Sequence, residues 1–337
     1  MNNRADATLA KVSEFNLNWP SPLRGSTHEL VLDAEYIYVT GQNMDLVAKC
    51  NYQGEVLAYY PMPPGSGPHG LLIDKLGRLW VSLEFTGLVV QLDKDGAIVR
   101  QHDVRLFAQG AATPINPAPH GIGLDADGET IWFTGKRTST VGRINPSGQI
   151  EHFQLNNLAA LPIILQAGPD GGIWGSELLG NAILNVSREG IVREFPTPTK
   201  PSGPIGVIAD PTENCMWFAE GTAMKIGKID MLGNITEYPV PAFQKTDTLA
   251  SLCFDCDLNL WVQVYVDQAS SEPEGTDYVL MFDKSIRQLG SGDISGVPVT
   301  TYALPSKGSM MHRIKLDLTG NLWFTEMMTD KLGRIAL

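Results

Sequence analysis

The sequence predicts an all-β fold: a seven-bladed β-propeller with four antiparallel strands per blade, its ring closed by an N-terminal strand that joins the last blade. Three observations carry this prediction. One short pattern recurs seven times, each copy has room for four short strands, and the outer strands are one short until the N-terminus supplies it.

The pattern is an apolar strand, a tight turn that usually holds Asp and Gly, and an aromatic-led second strand, which is a β-hairpin signature. It reads PHGLLIDKLGRLWVSLE at 68–84, PHGIGLDADGETIWFT at 119–134, GPIGVIADPTENCMWFAE at 203–220 and HRIKLDLTGNLWFTE at 312–326. Trp80, Trp132, Trp174, Trp217, Trp261 and Trp323 mark six copies, and Tyr38 marks the seventh. Third strands follow as LVAKC (46–50), LVVQL (88–92), VGRI (141–144), ILNV (183–186), KIGKI (225–229), YVLMF (278–282) and LGRI (332–335). Fourth strands such as IVRQHDV, IVREFP and NITEYP close six of the units. A repeat of roughly 40–60 residues with four strands is the length of a propeller blade. The apolar period is 2, so a helical reading fails.

The chain stops after the seventh third strand. KVSEFNL at 11–17 resembles IVREFP and NITEYP, so it is expected to be the outer strand of the last blade, leaving no open sheet edge. The whole of 1–337 then forms one propeller domain, with 1–10 as a tail. Inserts at 105–119, 266–277 and 287–298 lengthen loops; they fit either a covered binding face or tolerated surface insertions.

Composition narrows the function. Hydrophobic residues make up 43% of the chain and charged residues 18%, enough for a substantial core. The net charge of −12, with no basic run, argues against nucleic acid and anionic membrane surfaces as partners. No apolar run reaches the length of a membrane span, and MNNRADATLAKVSEF lacks the apolar centre of a signal peptide. Cys50, Cys215, Cys253 and Cys256 form no disulfide-dense pattern. The expectation is a cytoplasmic monomer with reduced thiols. Cys253 and Cys256 form a lone C-x-x-C and read as small core residues.

The candidate site comes from ring geometry. First strands line the axis of a propeller, so one register of the repeat forms a ring round the channel. That register holds His312, His28, His69 and His120 in blades seven, one, two and three, then Ile163, Ile205 and Ala250. The chain has only six histidines, and four stand here. One arc is imidazole and the opposite arc apolar, which suits a small amphipathic molecule. The alternative is that Pro-His-Gly is merely a strand-entry turn.

Pairing the blade-two hairpin one to one, with Asp74 opposite Leu79, places His69 against Glu84. A carboxylate there can orient the imidazole, raise its pKa or hold a metal beside it. The same pairing puts Gln42 near His28, Gly135 near His120 and Met327 near His312. Glu177, Glu220 and Glu326 come one residue earlier, point to the other sheet face and read as structural. Asp33, Asp74, Asp125 and Asp317 read as turn residues rather than calcium ligands. His102 and His152 fall on outer strands. No G-x-S-x-G, P-loop or dinucleotide fingerprint is present, so no organic cofactor is expected.

GPIGV…MWFAE, MKIGKIDMLGNITEYPVP and NLWFTEMMTDKLGRI together resemble the virginiamycin B lyase (streptogramin lyase) family, blade by blade over essentially the whole chain. The resemblance implies a seven-bladed propeller that opens a cyclic depsipeptide by elimination, with magnesium. It maps the family's site onto His28 and onto Pro68-His69-Gly70 with Glu84, displaced round the ring from blades that here hold Ala250, His312 and Met327. Implied roles follow. His69 is the general base, and Glu84 with His28 holds the Mg2+ that polarises the substrate carbonyl. His120, His312, Ile163, Ile205 and Ala250 contact substrate. A metal-free cyclase or pericyclase using imidazoles as hydrogen-bond donors, and a non-catalytic interaction propeller, are the other readings.

Overall fold

The computed structural model describes residues 12–21, 25–107, 110, 112–267, 275–290 and 292–337. The 1–10 tail, Lys11 and parts of the three inserts lie outside the described residues.

Alternating apolar residues bounded by Gly and Asp turns give short strands throughout, β1 (Val12–Asn16) being the first. Blade one is β2 (Thr27–Leu32), β3 (Ile37–Gly41), β4 (Leu46–Cys50) and β5 (Val56–Pro61). Blade two is β6 (Pro68–Ile73), β7 (Leu79–Leu83), β8 (Leu88–Leu92) and β9 (Ile98–Asp103). Blade three is β10 (Pro119–Leu124), β11 (Ile131–Gly135), β12 (Thr140–Ile144) and β13 (Ile150–Gln154). Blade four is β14 (Pro162–Ala167), β15 (Ile173–Glu177), β16 (Ala182–Val186) and β17 (Val192–Pro196). Blade five is β18 (Pro204–Ala209), β19 (Cys215–Glu220), β20 (Lys225–Asp230) and β21 (Ile235–Pro239). Blade six is β22 (Asp247–Phe254), β23 (Leu260–Val266), β24 (Thr276–Phe282) and β25 (Val299–Lys307). Blade seven is β26 (Met311–Leu316), β27 (Leu322–Glu326) and β28 (Lys331–Ile335), with β1 antiparallel on its outer edge, Val12 opposite Ile335.

The fold is therefore an all-β, seven-bladed propeller. Each inner strand packs on the inner strand of the next blade, and β26 packs on β2. The core lies between blades: Trp132 clusters with Leu165, Ile173 and Leu184 of blade four, and Trp217 with Leu249 and Val262 of blade six. Each of the six blade Trp indoles donates its N–H to the Asp of its own hairpin turn, as Trp80 does to Asp74 at 2.9 Å and Trp323 to Asp317 at 2.9 Å. The turn Asp thus fixes both the turn and the ring that fills the gap to the next blade.

A second tie joins blades. Glu194, Glu237 and Glu14 on outer strands accept backbone N–H groups from the preceding blade, at Asn156, Thr199 and Ser306. Beside them lie Glu177, Glu220 and Glu326, all fully buried. Cys50, Cys215 and Cys253 are buried free thiols; Cys256, expected in the core, is exposed because it occupies a hairpin turn. Among the described residues no helix is long and apolar enough to cross a membrane.

Candidate active site at the imidazole cluster

A β-bulge places the channel residues. In every inner hairpin the pairing slips by one residue, between Thr27 and Leu30, Pro68 and Leu71, Pro119 and Ile122, Pro162 and Leu165, Pro204 and Val207, Leu249 and Leu252, and Met311 and Ile314. His28, His69, His120, Ile163, Ile205, Ala250 and His312 are each the first residue inside the slip. A bulge re-aims a side chain out of the regular pleat. The one-to-one register expected from sequence is already one residue off at the turn, and the bulge adds a second. Ile73, not Asp74, faces Leu79, and the Glu84 N–H donates to the Gly67 carbonyl, so Glu84 does not stand opposite His69. Likewise Gln42 bonds Ser26, Gly135 faces Pro119, and Met327 bonds Met310.

The bulge leaves a backbone N–H off the ladder, and a side chain two residues after the aromatic marker accepts it. Thr40 Oγ1 takes Glu29 N–H, Ser82 Oγ takes Gly70 N–H, Thr134 Oγ1 takes Gly121 N–H and Thr325 Oγ1 takes Arg313 N–H. Three of these hydroxyls donate onward to the next blade's histidine carbonyl: Thr325 to His28, Thr40 to His69 and Ser82 to His120. The histidine backbones are therefore pinned from the neighbouring blade. The sequence carries this signal as Thr or Ser at one register in five blades, the fifth being Ser176, which donates to the Ile205 carbonyl.

The four imidazoles converge. Ring centroids are 4.9 Å apart for His28 and His69, 3.6 Å for His69 and His120, and 5.2 Å from His312 to both His28 and His69. His28, His69 and His120 are buried; His312 is half-buried. Ile163 and Ala250 are buried and Ile205 half-buried at the same bulge position in blades four, six and five.

Hydrogen bonding fixes the tautomers. Nδ1 of His28 lies 2.8 Å from the Ser26 carbonyl, that of His69 3.2 Å from the His120 carbonyl, and that of His120 3.3 Å from the Ile163 carbonyl. A carbonyl only accepts, so each Nδ1 carries the proton and each Nε2 keeps its lone pair. Burial, then the neighbouring His312, presses the His28 pKa down to about 3. Burial and then His120 hold His69 well below its ordinary value; burial and then Lys136 do so for His120. These three rings are neutral at physiological pH.

Beneath them sits an ion pair that sequence reasoning missed. Arg313 donates Nε to Glu29 Oε2 at 2.7 Å and Nη2 to Oε1 at 2.5 Å, and its Nη1 reaches Ser251. Burial alone would raise the Glu29 pKa, but Arg313 and His312 outweigh it and hold the carboxyl well below the usual range. His312 Nδ1 is 3.1 Å from Glu29 Oε1. Glu29 and Arg313 also line a cavity of about 180 Å3 whose walls include Val31, Leu72, Leu165 and Lys315.

At the imidazole end, Gln42, Glu84 and Lys136 form a chain. Gln42 Nε2 donates to Glu84 Oε2 at 2.8 Å, and Lys136 Nζ bonds Glu84 Oε1 at 3.1 Å. Each is the fourth residue after its blade's aromatic marker, so that register named Lys136 as well as Glu84.

Magnesium does not fit this donor set. It takes oxygen ligands in near-ideal octahedral geometry. Both Glu84 oxygens already have partners, both Glu29 oxygens are held by Arg313, and His28 offers nitrogen. The donors that do approach one another are nitrogens: His69, His120 and His312 bring one ring nitrogen each to within 4.8 Å of the others. A second grouping, Asp210 with Glu213 and Cys215, is occupied by the Arg287 guanidinium.

The Virginiamycin B lyase family matches residues 90–268. A virginiamycin B lyase of Nocardia farcinica (strain IFM 10152) is 31% identical over 214 residues, which span 52% of this chain and 70% of that protein. A structure titled as streptogramin B lyase superposes with a TM-score of 0.77 at 20% identity, over 97% of both chains. Virginiamycin B lyase from Staphylococcus aureus, also solved as a catalytically inactive variant with quinupristin, gives 0.77 at 24% identity over 97% of this chain and 99% of that one. The protein with the four-imidazole channel is a member of the virginiamycin B lyase family, a lyase-like propeller.

Proposed function

We propose that the chain is a lyase of the streptogramin-lyase kind, which opens a small natural-product ester by elimination at the imidazole end of the channel. The observation that carries this is the convergence of four imidazoles, three of them neutral, with Nε2 lone pairs free of protein partners among the described residues. A neutral imidazole is competent to take a proton from carbon beside a carbonyl.

His28 is the base in this reading. His69, expected in that role, is only 1% exposed and stacks on His120, so it serves to hold the cluster. The α-proton passes to His28 Nε2, the C–H pair becomes the new C=C bond, and the ester C–O bond breaks with its pair leaving on the carboxylate. No water is consumed. Lys136, fixed by Glu84, faces the carbonyl oxygen as negative charge develops. Glu84 is thus a positioning residue. Ile163, Ile205 and Ala250 supply apolar contact, and His120 and His312 line the substrate side.

The cyclase reading is weaker on one count: it needs imidazole donors, and the Nδ1–H groups already bond carbonyls. The deciding experiment offers a cyclic depsipeptide and reads product mass. Elimination gives a linear product of unchanged mass, whereas hydrolysis adds one water. His28→Ala is expected to lower turnover by about 10²–10⁴-fold with the fold intact. Unchanged turnover in that variant, or a hydrated product from the native chain, overturns the proposal.

A further inference from the structure

We propose that His69, His120 and His312 bind one divalent transition ion of the Zn2+ or Co2+ type through their Nε2 atoms. The inference rests on the donor geometry and stands whether or not the chain is a lyase.

Three observations on independent parts of the cluster point the same way. First, the three residues come from β6, β10 and β26, yet their ring nitrogens lie within 4.8 Å of one another. A tetrahedral ion with bonds of about 2.0–2.1 Å needs nitrogens roughly 3.4 Å apart. Small χ rotations supply that contraction. Second, the far nitrogen of two rings is held by a hydrogen bond and that of the third faces a carboxylate. His69 and His120 give their Nδ1 protons to backbone carbonyls, and His312 Nδ1 lies against Glu29, itself locked by Arg313. Metal-binding histidines are oriented in just this manner, by a carbonyl or carboxylate on the nitrogen facing away from the ion. Third, among the described residues no hydrogen bond reaches any of the three Nε2 atoms, which leaves their lone pairs open to a ligand.

Ligand chemistry selects the ion. Imidazole suits Zn2+, Co2+, Ni2+ and Cu2+, whereas Mg2+ prefers carboxylate, carbonyl and water. Three protein nitrogens leave a fourth position open, as in catalytic rather than structural zinc sites. His28, 4.9 Å from His69 by ring centroid and outside the close set, borders that position. The ion would thus sit beside the proposed base.

The test is Co2+ titration of the purified full chain after chelator treatment, with equilibrium dialysis for stoichiometry and visible d–d absorption for geometry. No substrate is used, so its failure is distinct from failure of the lyase reading. One Co2+ per chain is expected, with tetrahedral-type bands that survive a large excess of Mg2+. His120→Ala and, as a half-buried site that spares the core, His312→Gln should each weaken binding by more than about 100-fold. His152→Ala on β13 should leave it unchanged. Circular dichroism confirms the fold of each variant. Absence of Co2+ binding by the native chain, or retention in both imidazole variants, overturns the site.

Discussion

The imidazoles of blades seven, one, two and three and the carboxyls of blades four, five and seven are buried by one repeat, but only the first set remains available for chemistry. Burial disfavours charge in both and moves their pKa values in opposite directions. It lowers His28 to about 3, and raises Glu177, Glu220 and Glu326 to about 8. His28, His69, His120 and the three carboxyls are held neutral by burial; what differs is what surrounds them. A histidine proton goes to a carbonyl behind the ring, leaving a lone pair in the channel. The carboxyls of Glu177 and Glu220 are fully buried beside Glu194 and Glu237 of the same blades, and among the described residues neither has a hydrogen-bond partner on either oxygen. Buried polarity marks a site here only where several such groups converge, as the imidazoles do.

Between these sets stands a pair that keeps its charge, Glu29 with Arg313, and breaking it gives the largest expected effect on stability. Arg313→Met leaves a carboxylate buried beneath His312 with no cation. A cost of about 3–5 kcal/mol in urea unfolding is expected. A loss under about 1 kcal/mol would show that Glu29 is solvated or protonated in the native state. Glu29→Gln paired with Arg313→Met should recover much of the loss, since it removes the stranded charge.

The carboxyl pairs give the next largest effect, and its sign follows from linkage. In the folded chain Glu177 keeps its proton up to about pH 8, because burial and then Glu194 raise its pKa from 4.5. The unfolded chain releases that proton near its ordinary value. Between those limits the unfolded state binds fewer protons, so stability from this group is complete below pH 4.5 and falls as pH rises through 8. Glu177→Gln keeps the shape of the neutral side chain and removes the titration. Relative to the native chain it should gain little at pH 5 and on the order of 2 kcal/mol at pH 8.5. A difference independent of pH would mean that Glu177 is already ionised in the folded state.

The fold was legible because its signals are local and repeated. Trp and Asp within one hairpin specify the turn, the indole contact and the wedge between blades without reference to the rest of the chain. The histidine ring was legible for the same reason: one register, copied seven times, must meet at the axis. Two features were not. Pairing Asp74 with Leu79 starts one residue off at the turn and one-to-one pairing cannot register the bulge, so together they set Glu84 against His69. The Glu29–Arg313 pair joins residues 284 apart, which meet only when blade seven closes on blade one. Neither residue repeats round the ring, so periodicity is silent about them. Lys136 was within reach, standing at the same distance from Trp132 as Glu84 from Trp80.

The smallest effect tests whether the hydroxyls under the histidines set position or only stability. Ser82 Oγ accepts the Gly70 N–H at 2.8 Å and donates to the His120 carbonyl at 2.9 Å, the same carbonyl that takes the His69 proton. Blade five shows the alternative within the same chain. Ala219 fills the matching place there, and the bulge beside Ile205 forms without a hydroxyl. Ser82→Ala therefore copies a tolerated arrangement into blade two, at an expected cost of about 1 kcal/mol in unfolding free energy. The distinguishing readout is Co2+ affinity. If the hydroxyl holds His69 and His120 in register, affinity falls by roughly tenfold or more, beyond what the loss of about 1 kcal/mol in stability brings in the Thr134→Val control. If both change in proportion, the hydroxyl acts on the blade as a whole. Thr134→Val should then match it, since Thr134 bonds within its own hairpin and touches no histidine carbonyl.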